Sequence, residues 1–64
     1  MITLYTSRSP IFSPETLDWV LGARDLEANA SLDPALGKIK VEIHNPAHEA
    51  DVKWVMELAE CEVQ

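Results

Sequence analysis

The chain has 64 residues, enough for one domain spanning 1–64, with eleven acids against five bases and a formal charge of −6. Clustered Lys and Arg are absent, which argues against direct binding to nucleic acid or anionic membrane and favours a protein partner with a basic surface. The hydrophobic share of 47% and the lack of any low-complexity run are those of a folded chain, yet a single cysteine, Cys61, excludes an internal disulfide.

A domain of this size buries only about 60% of its unfolded surface, so completion by a homodimer or by docking on a partner is expected. Met1-Ile-Thr-Leu-Tyr lacks the basic start and apolar stretch of a signal peptide, and no segment approaches a membrane span, so the expected location is cytoplasmic.

Ile2–Thr6 reads as a strand, with Ile2 and Leu4 on one face and Thr3 and Tyr5 on the other. Ser13 then offers a helix cap, Pro14 suits the first helical position, and Glu15 adds negative charge to the first turn. Phe12 and Leu17 are spaced as a hydrophobic staple. Leu17, Val20 and Leu21 form an inward stripe that Ala28 continues, while Trp19, Ala23 and Leu26 fall on the opposite side. Either Gly22 breaks this segment or one helix is apolar on two sides; the reading adopted is one helix from Pro14 to about Asn29.

"SLDPALG" predicts a turn, with Asp33-Pro34 starting a helical turn that Gly37 closes. "KIKVEIH" alternates, so Ile39, Val41 and Ile43 are expected inside and Lys38, Lys40, Glu42 and His44 outside. Asn45 and Pro46 then open a second helix expected to run to about Glu62. Its stripe is Val52, Val55, Met56, Ala59 and Val63, broadened by Trp54, Leu58 and Cys61, with Glu49, Lys53, Glu57 and Glu60 on the polar face.

The order strand, helix, strand, helix predicts an α/β fold: a small β-α-β-α unit with a two-stranded parallel sheet, completed by dimerisation or a partner.

"ITLYTSRSPIFS" resembles the start of glutaredoxin- and thioredoxin-like proteins, in which a strand ending in Leu-Tyr-Thr leads to Cys-x-x-Cys at a helix start. "KIKVEIHNPAHEADVKWVMELAECEV" is similar to the second strand and helix of that fold. Over that pattern Pro10 and Ser13 stand at the two cysteine positions, so the resemblance implies half of a redox fold without dithiol exchange.

Other chemistry is sparse. Cys61 lies between Glu60 and Glu62 near a helix C-terminus, a setting for a neutral packing or interface thiol. His44 and His48 are separated by Pro46 and belong to different elements, so a zinc site with Glu49, Asp51 or Cys61 is a minor alternative, and no metal or other cofactor is expected. No serine is paired with a histidine by any signature, and no glycine-rich phosphate loop is present.

The expected activity is therefore non-catalytic: a small acidic protein that binds another protein. In general character it is similar to phage-encoded inhibitors of the anti-CRISPR type, directed at a basic nucleic-acid-handling host protein. The candidate partner-binding residues are Trp19, Trp54, Glu57, Leu58, Glu60 and Cys61: the tryptophans and apolar side chains because such groups outside a core stripe mark interfaces, and the two glutamates as an acidic face for a basic surface. A redox-inactive or truncated glutaredoxin- or thioredoxin-like protein and a small metal-binding module are the alternatives.

Overall fold

The computed structural model describes all residues, Met1–Gln64. Three strands and two helices follow in chain order: β1 (Ile2–Thr6), α1 (Pro14–Ala23), β2 (Ala28–Asp33), β3 (Lys38–Ile43) and α2 (Glu49–Leu58), the last preceded by a short 3₁₀ turn, Pro46–His48.

The two-stranded parallel sheet expected from the sequence is not formed. The sheet has three strands in the order β1-β3-β2, and β3 runs antiparallel to both neighbours. The crossover through α1 does leave β1 and β2 pointing the same way, but β3 is inserted between them, giving a split β-α-β unit. The strand "KIKVEI", which the redox resemblance would place parallel to β1, is therefore antiparallel to it.

β2 arises because α1 is shorter than its stripe suggests. The helix ends at Ala23, and Asp25 adopts left-handed backbone (φ 54). The Leu26 N–H then donates to the Leu21 carbonyl (3.2 Å) and the Asp25 N–H to the Gly22 carbonyl (3.0 Å), the paired bonds of a Schellman stop. That reversal turns Leu26 back into the core, and Ala28-Asn29-Ala30-Ser31 leave as a strand with both alanines buried.

α2 stops short of Glu62 in the same manner. Glu60 is left-handed (φ 59), the Cys61 N–H donates to the Met56 carbonyl (2.9 Å) and the Glu60 N–H to the Glu57 carbonyl (3.0 Å). Cys61 is thereby folded under the helix and buried, and Val63 leaves the expected stripe to lie exposed.

The first helix follows its expected cap, whereas the cap expected for the second opens the 3₁₀ turn and α2 itself begins at Glu49 after His48, which makes no side-chain cap bond. Ser13 Oγ accepts from the Thr16 N–H (3.3 Å) ahead of Pro14, and Asn45 Oδ1 accepts from the Ala47 N–H (3.0 Å) ahead of Pro46. In the β2–β3 hairpin, Asp33 Oδ1 accepts from the Ala35 and Leu36 N–H groups, and Gly37 (φ 66) closes the turn with its N–H on the Asp33 carbonyl (2.8 Å). The left-handed backbone at position 37 is where glycine carries no side-chain penalty.

Both helices cover one face of the sheet. Leu17 and Leu21 of α1, and Val52, Val55, Met56 and Ala59 of α2, join Ile39, Val41 and Ile43 of β3 in one core. Thr6 lies on the same face, opposite Ile39, and is fully buried. The other face carries Thr3, Tyr5, Asn29, Ser31, Lys38, Lys40 and Glu42 and is covered by no element, so it is polar.

The final residues seal one edge of the sheet. Val63 bridges Thr6, the Gln64 N–H donates to the Tyr5 carbonyl (2.8 Å), and the Ser7 N–H donates to the Glu62 carbonyl (2.8 Å). No helix is long and apolar enough to cross a membrane.

Candidate functional site

Where the two helices meet on their outer side, they leave a groove of about 200 Å³ that is almost wholly apolar. Phe12, Leu17 and Val20 form one wall, and Trp54, Val55, Leu58 and Ala59 the other. Leu17, Val55 and Ala59 are buried at its floor, whereas Phe12, Trp54 and Leu58 stand at its rim with 39, 48 and 57% of their surface exposed.

Local sequence explains the placement. Phe12 precedes the Ser13 cap, and its position across from Leu17 is that of a staple. On α2, Trp54 and Leu58 are four residues apart and so share one side of the helix, next to the buried Val55 and Ala59. Arg24 at the end of α1 lays its guanidinium 4.9 Å from the centre of the Trp54 ring. That stacking links the two helices and holds the indole at the rim.

The candidate residues do not all converge. Trp54 and Leu58 meet in this groove, and Glu57 is exposed beside Leu58. Glu60 is exposed at the left-handed stop of α2. Trp19 is 71% exposed but projects from α1 away from the Leu17–Leu21 stripe and lines no part of the groove. Cys61 is turned inward, so its side chain is core and offers nothing to a partner.

Burial pushes the Cys61 thiol above its ordinary value, against hydrogen bonds from the Thr6 and Ser9 side chains that act the other way. A thiol held neutral is a poor nucleophile. It sits beside the loop in which the redox pattern would carry its cysteines, and that loop has a different task here. Ser9 Oγ donates to the Ala59 carbonyl (2.6 Å) and accepts from the Ile11 and Phe12 N–H groups, while Ser7 Oγ accepts from the Glu62 N–H (2.8 Å). The two serines, which read as ordinary loop residues in the sequence, fasten the β1–α1 connection to the end of α2. The spacing "SRS" carries no signal of this, because the partners lie 50 and 55 residues away.

The histidines are separated by role. His44 Nε2 lies 2.8 Å from Asn29 Nδ2 at the sheet surface, and His48 is half-buried in the turn before α2 with no partner for Nδ1. No three His, Cys, Asp or Glu side chains come together in a ligating arrangement. None of the three surface grooves brings a serine or cysteine together with a histidine.

The electrostatics are one-sided. The eleven acids form a single ion pair, Lys53 to Glu49 at 2.8 Å, an i,i+4 contact on the outside of α2. The arrangement is thus an apolar helix–helix groove with exposed aromatic and leucine side chains on a molecule of strongly negative charge. No protein-family model matches this chain, and neither a curated protein nor a solved structure shows significant similarity to it.

Proposed function

We infer that the protein works without catalysis, by binding a protein partner through the α1–α2 groove. The observation that carries this reading is the exposure of Phe12, Trp54 and Leu58 around a concave apolar floor. Tryptophan is enriched among the few residues that supply most of the binding energy at protein interfaces, and contiguous exposed apolar patches mark interaction sites. The net charge of −6 favours a basic partner and speeds the encounter. Inhibition of a basic nucleic-acid-handling protein is the narrower form of the proposal, supported by the sign and size of that charge.

Photo-crosslinking tests it. A photoreactive residue is placed at Leu58, with a second protein carrying it at Thr3 on the bare sheet face as control. Crosslinking of one basic protein from position 58 alone, weakened by salt and by the double change Glu57→Lys and Glu60→Lys, supports the reading. Indiscriminate labelling from both positions, or a partner insensitive to the charge reversal, overturns it.

A further inference from the structure

Of the residues that line the α1–α2 groove, Arg24 alone carries a charge. The chain has five cations, and the other four are placed elsewhere. Lys53 is paired with Glu49, Lys38 and Lys40 lie on the bare sheet face, and Arg8 lines a different groove beside Glu15 and Asp18.

Arg24 has no acid of its own. The molecule carries eleven, yet its one ion pair is that of Lys53 with Glu49. Asp25 follows Arg24 in the chain, and Asp51, Glu57 and Glu60 stand on or just after the α2 turns that carry Trp54 and Leu58. All four are exposed and none is paired with it. The guanidinium is nonetheless held in place, 4.9 Å from the centre of the Trp54 ring. Stacking of that kind uses the flat face of the group and keeps its N–H edge available, in the fork that matches a carboxylate. An arginine fixed at the lip of an apolar hollow and left without an acid is suited to one brought by a guest.

The size of the hollow decides what accompanies that acid. At about 200 Å³ it falls below the roughly 300–1,000 Å³ of sites for drug-sized ligands and takes about one large apolar side chain. The apolar group and the carboxylate must therefore lie close together on the guest. The last residue of a chain supplies both at once. An Asp or Glu side chain comes from a second residue, which points to the opposite face of a strand or lies a turn away on a helix.

We propose that the α1–α2 groove captures the C-terminus of a basic protein, taking a large apolar last residue into the hollow and its carboxylate onto Arg24. Cations just upstream on the guest meet the exposed acids of α2, Asp51 and Glu57, and Glu60 at its stop. This rests on the groove being the docking surface and names what enters it.

The probe is the peptide acetyl-Lys-Gly-Lys-Gly-Phe with a free C-terminus, titrated into the ¹⁵N- and methyl-labelled full chain and compared with its C-terminal amide. The free acid should saturably shift the Trp54 indole N–H and the Val20, Val55 and Leu58 methyls. It should bind about fivefold tighter than the amide. Arg24→Gln should bring the two peptides to equal affinity. Arg24→Lys, which keeps the charge but loses the fork, should recover only part of the difference. Equal binding of acid and amide in the groove of the unaltered chain overturns the C-terminal assignment and leaves the groove as a protein-docking surface. Tighter binding of acetyl-Lys-Gly-Phe-Glu-Gly-Lys-amide, whose acid is internal, overturns it in favour of an Asp or Glu side chain. Shifts confined to the sheet, or no saturable binding of either peptide, overturn both this assignment and the groove reading beneath it.

Discussion

The two helices end alike and deliver the chain to opposite edges of the sheet. After α1, left-handed Asp25 returns Leu26 to the core and the chain becomes β2; after α2, left-handed Glu60 returns Cys61 to the core and the chain lies along β1. One arrival builds an edge whose Ala28 and Ala30 are buried beside α1, with the Asp18 carboxylate on the Ala30 N–H. The other closes an edge with backbone hydrogen bonds and the Ser7 and Ser9 hydroxyls. A backbone seal is permanent as long as the domain is folded, whereas a side-chain guard can leave. The same local device therefore yields an edge closed by backbone on one side and an edge covered by a side chain on the other.

The comparison breaks most severely at the residue that follows the first stop. Leu26→Ala removes the buried anchor that turns the chain into β2 and should cost about 2–5 kcal/mol, much of the stability available to a domain of this size. Urea unfolding is expected to show a far lower midpoint or no cooperative transition, with β2 amides losing exchange protection first.

A smaller effect belongs to the sealed edge. Ser9→Ala strips the Ala59 carbonyl and the Ile11 and Phe12 N–H groups of their common partner and should cost about 1–2 kcal/mol. Hydrogen exchange should quicken in residues 62–64 and in the loop after β1 while β2 is unchanged. Equal loosening of both edges would show that the two seals are one cooperative unit.

The smallest change sharpens the likeness between the helix ends. Asp25→Gly and Glu60→Gly each relieve left-handed backbone in a residue with a Cβ and remove a negative charge from a helix C-terminus. Set against the extra freedom of glycine in the unfolded chain, each should stabilise by about 0.5–1 kcal/mol, read as a rise in thermal midpoint. A loss in either would mean that the acid makes a stabilising contact of its own.

These stops also explain what the sequence shows and what it hides. The starts of α1 and of the 3₁₀ turn ahead of α2 are legible because Ser13-Pro14 and Asn45-Pro46 use the side chains that such starts need. The alternation in β1 and β3 is legible because one face of each is buried. The helix ends are hidden, since acids occupy the left-handed positions where glycine would have announced them.

With no stop visible, Ala28 reads as the continuation of the Leu17–Leu21 stripe, although Ala28-Asn29-Ala30-Ser31-Leu32 already alternates as a strand does. Alanine, asparagine and serine carry little strand preference, so the pattern stays quiet. Losing β2 then forces the parallel pairing of β1 and β3, because two strands joined by a crossover have no other neighbour. The groove is partly legible: Trp54 and Leu58 stand out as apolar residues beyond the α2 stripe. Cys61 is misplaced by the same hidden stop that ends α2 early.

The central position of β3 has a consequence for how the domain comes together. On one side β3 joins β2 across a turn of four residues, 34–37, already shaped by Asp33 and Gly37. On the other it must find β1, whose nearest pair, Thr6 with Ile39, encloses 32 residues. Closing the longer loop costs about 2 kcal/mol more at about 0.6 kcal/mol per doubling. The hairpin is thus the local half of the sheet and β1 its distant half, so most of the entropic barrier to assembly lies in docking β1 against β3.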